Sequence, residues 1–241
     1  MDTALEAHLL KQADESYRLF WHRLRWAAVA GYVPADRPAT LLDVGAGAGA
    51  TGELLERHRP QARYCFDEPL PSLEAHLERR FGADANRRGV ARLEGVDVVT
   101  LLDVIEHVPD DRELLAATCA RCEPGTTLLV TVPGSMRLWS QWDVDLGHHR
   151  RYDPASLRDA LADLPLDVLE VSWLFPELYV PALLRAWRNP ARRAATSEAT
   201  AELPVLPGPV NGLAYLVGRP AVALRRRLPF GTSVLAAARV R

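Results

Sequence analysis

The sequence predicts an α/β domain: a doubly wound, Rossmann-like, seven-stranded and mostly parallel sheet with a helical cap. Three observations carry that reading. Short apolar runs alternate with helical patterns between residues 40 and 174, as a parallel sheet covered on both faces requires. The first run ends in a glycine-rich turn, LLDVGAGAGA (residues 41–50), which opens directly into a helical pattern. A later run ends in an acidic turn, LLDVIEHVPD (residues 101–110), at the strand edge where open α/β sheets bind ligands.

Taken in order, the first 30 residues form a helical stripe. Leu5, Leu9, Ala13, Tyr17, Phe20, Trp21 and Leu24 recur every three or four positions. Strands are expected at Thr40–Val44, Arg63–Phe66, Val96–Leu102, Thr126–Val132 and Val168–Trp173, with a last one at Ser233–Ala238. Helices are expected near Ala50–His58, Pro71–Arg80, Arg112–Cys119 and Pro154–Leu161. The remaining strand should fall within Phe81–Leu93, where FGADANRRGVARL gives the weakest signal of the sheet. After Trp173 the alternation stops, and the connection to the final strand far exceeds the usual length. Two helices, around Glu177–Trp187 and Val210–Leu224, should fill it, joined by a link at Ser197–Pro209. The chain thus divides into a cap segment (1–36), a core (37–174), a helical insert (175–230) and a final core strand (231–241).

Composition narrows the function classes. Hydrophobic residues at 48% and charged residues at 25% suit a soluble globular protein with a large core. A formal charge of −2 gives no electrostatic case for nucleic acid as the main partner. Three cysteines make no disulfide framework, and Cys119-x-x-Cys122 lacks the second pair of a zinc site. Neither a secretory signal nor an apolar run near the ~20 residues of a membrane span is visible, so the expected location is cytoplasmic.

The glycine turn carries most of the chemistry. Asp43 precedes Gly45, Ala46, Gly47 and Gly49. Such a turn brings backbone N–H groups and a helix dipole up to an anionic or nucleotide-like ligand. Glycine permits both the positive φ and the close approach. Gly47, Gly49 and Gly52 also satisfy G-x-G-x-x-G, so an NAD-type dinucleotide-binding oxidoreductase fits the turn as well. Asp67 stands 22 residues after Gly45, where a carboxylate can accept both ribose hydroxyls, with Glu68 behind it.

A second concentration of chemistry is VPGSMRLWSQWDVDLGHHRRYDPASL, following the Thr126–Val132 strand. One loop rarely gathers an imidazole pair, carboxylates, guanidiniums and indoles without purpose. His148 can accept a proton there, with Asp143 or Asp145 fixing its tautomer. Equally, His148 and Arg151 can tie the loop to the sheet by hydrogen bonds.

Residues 40–161 resemble the class I S-adenosylmethionine-dependent methyltransferases. The likeness is to the branch with D-V-x-E-H-V-x-D, here Asp103–Asp110, which includes the ubiquinone-biosynthesis O-methyltransferases. The loop resembles the D-x-x-x-G-H-x-R-R-Y segment of a methyltransferase subgroup, here Asp143, Gly147, His148, Arg150, Arg151 and Tyr152. The resemblance implies S-adenosylmethionine as cofactor, with Asp43 reaching its methionine end and Asp84 its adenine amino group. It sets Leu102 against the cofactor and Asp103, Val104 and the residues to His107 beneath the methyl donor, His107 being a second catalytic candidate. Trp21, with Phe20 and Arg23 or Arg25, should border the substrate entrance, and Trp142, Arg151, Tyr152 and Tyr179 should meet the acceptor.

The implied reaction is direct methyl displacement onto an O or N atom of a small-molecule or glycoconjugate acceptor. A non-catalytic S-adenosylmethionine-binding module is the alternative within this fold. No metal is expected, although Asp143, Asp145, His148 and His149 are the loop's candidate ligands. The insert should act as a substrate lid. Tyr179, Leu183 and Trp187 share one helical face, and Leu213, Leu216 and Val217 another. Arg185, Arg188, Arg192, Arg193 and Arg225–Arg227 flank those stripes, a combination that suits peripheral contact with an anionic membrane. The sequence carries no signal for oligomeric state.

Overall fold

The computed structural model describes residues 16–191 and 206–241. Leu5, Leu9 and Ala13 of the N-terminal stripe, and most of the expected link, lie outside the described residues.

Helix α1 (Phe20–Val29) leads into strand β1 (Thr40–Val44), the glycine turn and helix α2 (Ala50–His58). Strand β2 (Arg63–Asp67), helix α3 (Pro71–Phe81), strand β3 (Val98–Leu102), helix α4 (Asp111–Arg121) and strand β4 (Thr127–Pro133) follow. Short helix α5 (Gln141–Asp145) lies in the aromatic and basic loop, and α6 (Pro154–Leu161) returns the chain to β5 (Leu166–Leu174). The insert contributes α7 (Tyr179–Arg188) and α8 (Gly208–Leu224) before β6 (Ser233–Val240).

The six strands form one sheet in the order β2-β1-β3-β4-β6-β5. Neighbouring pairs from β2 to β4 are parallel, and β6 is antiparallel to both β4 and β5. The strand expected within Phe81–Leu93 does not form. There the chain makes a 3-10 turn at Ala83–Ala85 and a single bridge from Asn86 to Phe66. Its Gly, Ala, Asp, Asn and Arg residues disfavour extended pairing, and Arg87 N–H closes the β2 edge by donating to the Phe66 carbonyl (2.7 Å).

Each sheet face has its own core. Leu115, Cys119, Leu157 and Leu161 of α4 and α6 pack on one side. Phe20, Leu24, Leu54, Leu55, Leu77 and Val222 pack on the other, so α1 and α8 belong to the core as well as to the cap. All three cysteines are free: Cys65 lies in β2, and Cys119 and Cys122 at the end of α4. Strand order reverses between β2 and β3 on either side of β1, so the ligand crevice opens over the carboxyl ends of β1 and β3.

Candidate active site

A cavity of about 590 Å3 occupies that crevice, within the ~300–1,000 Å3 usual for small-ligand sites. One wall is the glycine turn. Gly45 and Gly49 have φ of 67° and 82°, and a Cβ at either would stand 2.8 Å from a carbon of Val104 or Leu77. Both the conformation and the space therefore require glycine. Beside the turn, Asp43 is buried and accepts a hydrogen bond from Thr100 Oγ1 (2.6 Å). Burial pushes its carboxyl up to about 6 against those bonds.

Neither of the two acidic residues after β2 lines the cavity. Asp67 Oδ2 pairs with Arg121 Nη1 (2.7 Å). Glu68 instead turns under the glycine loop, accepting from Gly47 N–H (2.7 Å) and Leu70 N–H (2.9 Å). Burial raises its carboxyl to about 7. Side chains alternate faces along a strand, so the last strand residue and the first loop residue point apart. Asp84 is also displaced: it is exposed, pairs with Arg63 (3.3 Å) and stands outside the cavity lining.

Leu102 and Asp103 line the floor. Asp103 adopts φ of 60° and pairs with Arg25 of α1, and Thr131 donates to its other oxygen (3.2 Å). Val104 faces the back of Gly45 rather than the cavity. Glu106 is wholly buried with both carboxylate oxygens unpartnered among the described residues, and burial, then Asp103, drives its carboxyl well above the ordinary range. His107 is pushed down to about 4 by burial and by His148 and His149, so its imidazole is neutral.

The opposite wall comes from the loop after β4. Asp143 is fully buried, accepts from Ser140 N–H (2.9 Å) and pairs with Arg151 Nε (2.6 Å) and His148 Nδ1 (3.0 Å). Burial pushes the Asp143 carboxyl up, but His148 and Arg151 outweigh it and hold the group below its ordinary value. An ionised carboxylate only accepts, so Nδ1 of His148 donates to it. Arg151 also donates to the Gly134 carbonyl (3.0 Å), fastening the loop to β4. Both readings of the loop, proton handling and anchoring, thus share one carboxylate.

His107 and His148 meet edge to face, 4.7 Å apart. Donor atoms of Glu106, His107 and His148 lie within 4.8 Å of one another, a different set from the Asp143, Asp145, His148 and His149 picked from the loop.

Phe20, Trp21, His22 and Arg25 of α1 line the cavity, as do Trp142, Leu178, Pro181, Ala182 and Arg185. Arg23 stacks on Tyr215 of α8 instead (3.8 Å). Two expected acceptor contacts are absent from the cavity. Tyr152 is buried in the core, donating to Asp111 Oδ2 (2.6 Å), and Tyr179 packs on Phe230 (5.1 Å). The contribution of Arg185 was masked in the sequence by its place among the arginines beside an amphipathic stripe. The spacing Leu178, Pro181, Ala182, Arg185 marks a second, inward face of α7.

Fold and cavity together define a class I methyltransferase-type protein built around a nucleoside cofactor. Comparison with known proteins makes the family definite: residues 11–171 match the family described as Methyltransferase domain (Methyltransf_23), and the chain belongs to it. It is an enzyme that uses S-adenosylmethionine, and the dinucleotide oxidoreductase and non-catalytic readings fall away. A trans-aconitate 2-methyltransferase from Rhodopseudomonas palustris (strain BisB18) is 33% identical over 108 residues, 43% of this chain and 42% of that protein. A ubiquinone biosynthesis O-methyltransferase from Xanthomonas campestris pv. campestris (strain B100) is 28% identical over 197 residues, 73% and 78% of the two chains. The chain thus spans under half of the first relative and most of the second. Among solved structures, the complex between the Haloferax volcanii Trm112 methyltransferase activator and a methyltransferase matches with a TM-score of 0.61 and 16% identity, covering 100% of this chain and 98% of that one. At that identity the likeness concerns the fold.

Proposed function

We propose that this enzyme transfers the cofactor's methyl group to an oxygen or nitrogen of a small-molecule or glycoconjugate acceptor, with His148 receiving the acceptor's proton. The observation that carries the reading is the His148–Asp143 pair: Asp143 holds Nδ1, and His148 lines the same cavity as the glycine turn. The bound cofactor supplies an electrophilic methyl on its sulfonium. The chain's own part is alignment and proton removal. Asp43, Gly45, Ala46, Gly47 and Glu68 hold the cofactor, the helix α2 N-terminus adding its dipole. Arg25, anchored on Asp103, stands at the cofactor's methionine end. Leu102 and Asp103 form the floor below the methyl, while Trp21 and Trp142 close the walls around the acceptor. Asp143 fixes the His148 tautomer and stabilises the imidazolium that forms, and Arg151 holds Asp143 in place.

Replacing His148 with Asn should lower kcat by about 10²–10⁴ and leave cofactor affinity intact. Near-normal turnover would make His148 a loop anchor and pass the role to His107.

The insert's outer surface supports a second element of this reading. Val180, Leu184 and Trp187 of α7 and Leu213, Leu216 and Val217 of α8 are exposed, with Trp187 at 78%. No carboxylate occurs within 178–191 or 206–228, whereas Arg188, Arg219 and Arg227 do. An apolar face ringed by arginine suits peripheral contact with an anionic membrane near the cavity mouth. No helix among the described residues is long and apolar enough to cross one.

A further inference from the structure

Three guanidiniums line the cavity, and they are not equivalent. Arg25 is matched by Asp103 and Arg151 by Asp143. Arg185 has no carboxylate within salt-bridge distance and no hydrogen-bond partner among the described residues, and its Nε is buried. It is held only by its stacking on the Trp142 ring (4.7 Å). Burial and the neighbouring Arg151 both oppose its charge and outweigh the Asp143 carboxylate, which favours it.

A half-buried cation without a counter-ion is costly unless something else neutralises it. The position is also unusual within its helix. Leu178, Pro181 and Ala182 occupy the rest of the inward stripe, and Arg185 falls where the same periodicity would place another small or apolar residue. Exposed neighbours Leu184 and Trp187 show that water lay one helical step away. The guanidinium nevertheless faces inward, against the wall that carries Trp142, Arg151 and His148. The glycine turn, Asp43 and Arg25 form the cofactor's end of the same cavity.

We propose that Arg185 is the anion subsite of the acceptor: the methyl acceptor carries a carboxylate or phosphate, and Arg185 binds it while His148 faces the reacting atom. The proposal rests on the acceptor side assigned to the His148 wall, and it narrows the substrate class to anions. A planar guanidinium stacked on an indole is pre-oriented for two parallel hydrogen bonds to such a group. Trp142 thereby becomes the support of the subsite.

The test uses the full chain saturated with S-adenosylhomocysteine, titrated calorimetrically with 3,4-dihydroxybenzoate, its uncharged methyl ester, and phenyl phosphate. The benzoate should bind at least about tenfold tighter than the ester, the size expected of hydrogen bonds to a charged group. Phenyl phosphate binding above the benzoate would mark the natural group as a phosphate, and the reverse order a carboxylate. R185Q should abolish the preference for the anion, R185K should keep part of it, and both should retain wild-type affinity for S-adenosylhomocysteine. Equal binding of acid and ester by the wild type would overturn the proposal. So would an undiminished anion preference in R185Q, or a loss in R185Q that falls on the cofactor instead. An Arg185-dependent anion preference in a protein whose H148N variant turns over normally would uphold the subsite and reject the base.

Discussion

Cofactor affinity should depend on pH through Glu68, and the size of the effect follows from its surroundings. Burial lifts this carboxyl to about 7, with the nearby charges of Asp43 and Asp67 adding to it, although Leu70 and Gly47 donate to its oxygens. A ribose diol donates two hydrogen bonds and needs an ionised acceptor. The free enzyme must therefore lose a proton from Glu68 before or during binding. The apparent Kd then carries a factor of one plus the ratio of protonated to ionised Glu68. That factor is about 11 at pH 6 and about 1.1 at pH 8, so affinity should rise roughly tenfold, about 1.4 kcal/mol, across the interval. Asp43, with its carboxyl near 6, adds at most about twofold over the same range. Glu68→Gln should flatten the dependence and weaken binding by about 1.5–3 kcal/mol. Asp67→Asn should leave cofactor affinity unchanged, since the Asp67 carboxylate is engaged by Arg121 on α4, whereas Glu68 holds Gly47 of the glycine turn. Calorimetry of S-adenosylmethionine binding at pH 6, 7 and 8, in buffers of differing ionisation enthalpy, measures both affinity and protons released. A flat profile in the wild type, or the same slope in Glu68→Gln, would refute the assignment.

The remaining expectations concern the insert. Glu170 of β5 accepts from Tyr32 Oη (2.5 Å), Ser172 Oγ (2.6 Å) and Arg226 Nε (2.9 Å), and it pairs with Arg225, joining the end of the insert to the sheet. Burial pushes its carboxyl up, but those partners prevail and hold it at about 2, against an ordinary 4.5. Its stabilisation, about 3 kcal/mol, is complete above the unfolded value and lost as pH falls from about 4.5 to 2. Thermal melts of wild type and Glu170→Gln should accordingly converge in acid and separate at neutral pH; a constant gap at all pH values would contradict this. For the outer face, Trp187→Ser combined with Leu216→Ser should reduce sedimentation with phosphatidylglycerol vesicles and spare cofactor binding. Equal sedimentation of the double variant, or none by the wild type, would remove the membrane contact.

Local sequence was sufficient for whatever depends on neighbours along the chain. Periodicity found all six strands within two residues at each end, because each is a short apolar run bounded by turns. The glycine turn was legible for the same reason: Gly45 and Gly49 must adopt positive φ wherever they occur in such a bend. The loop was legible by composition, and Asp143, His148 and Arg151 do converge. What sequence could not decide was direction. Asp67 and Glu68 are adjacent and equally acidic, yet one faces Arg121 on α4 and the other the glycine loop. Tyr152 shares its motif with Arg151 but points into the core, where Asp111 waits for its hydroxyl. Arg185 lies in an outward-looking cluster of arginines by sequence, and only the docking of α7 over the crevice turns it inward. The seventh strand failed for a related reason, since an edge segment pairs only if its side chains gain by packing, and FGADANRRGVARL has too few to offer. Backbone geometry and apolar periodicity are properties of a segment; the facing of a charged side chain is fixed by whichever counter-ion or cavity the rest of the fold brings against it.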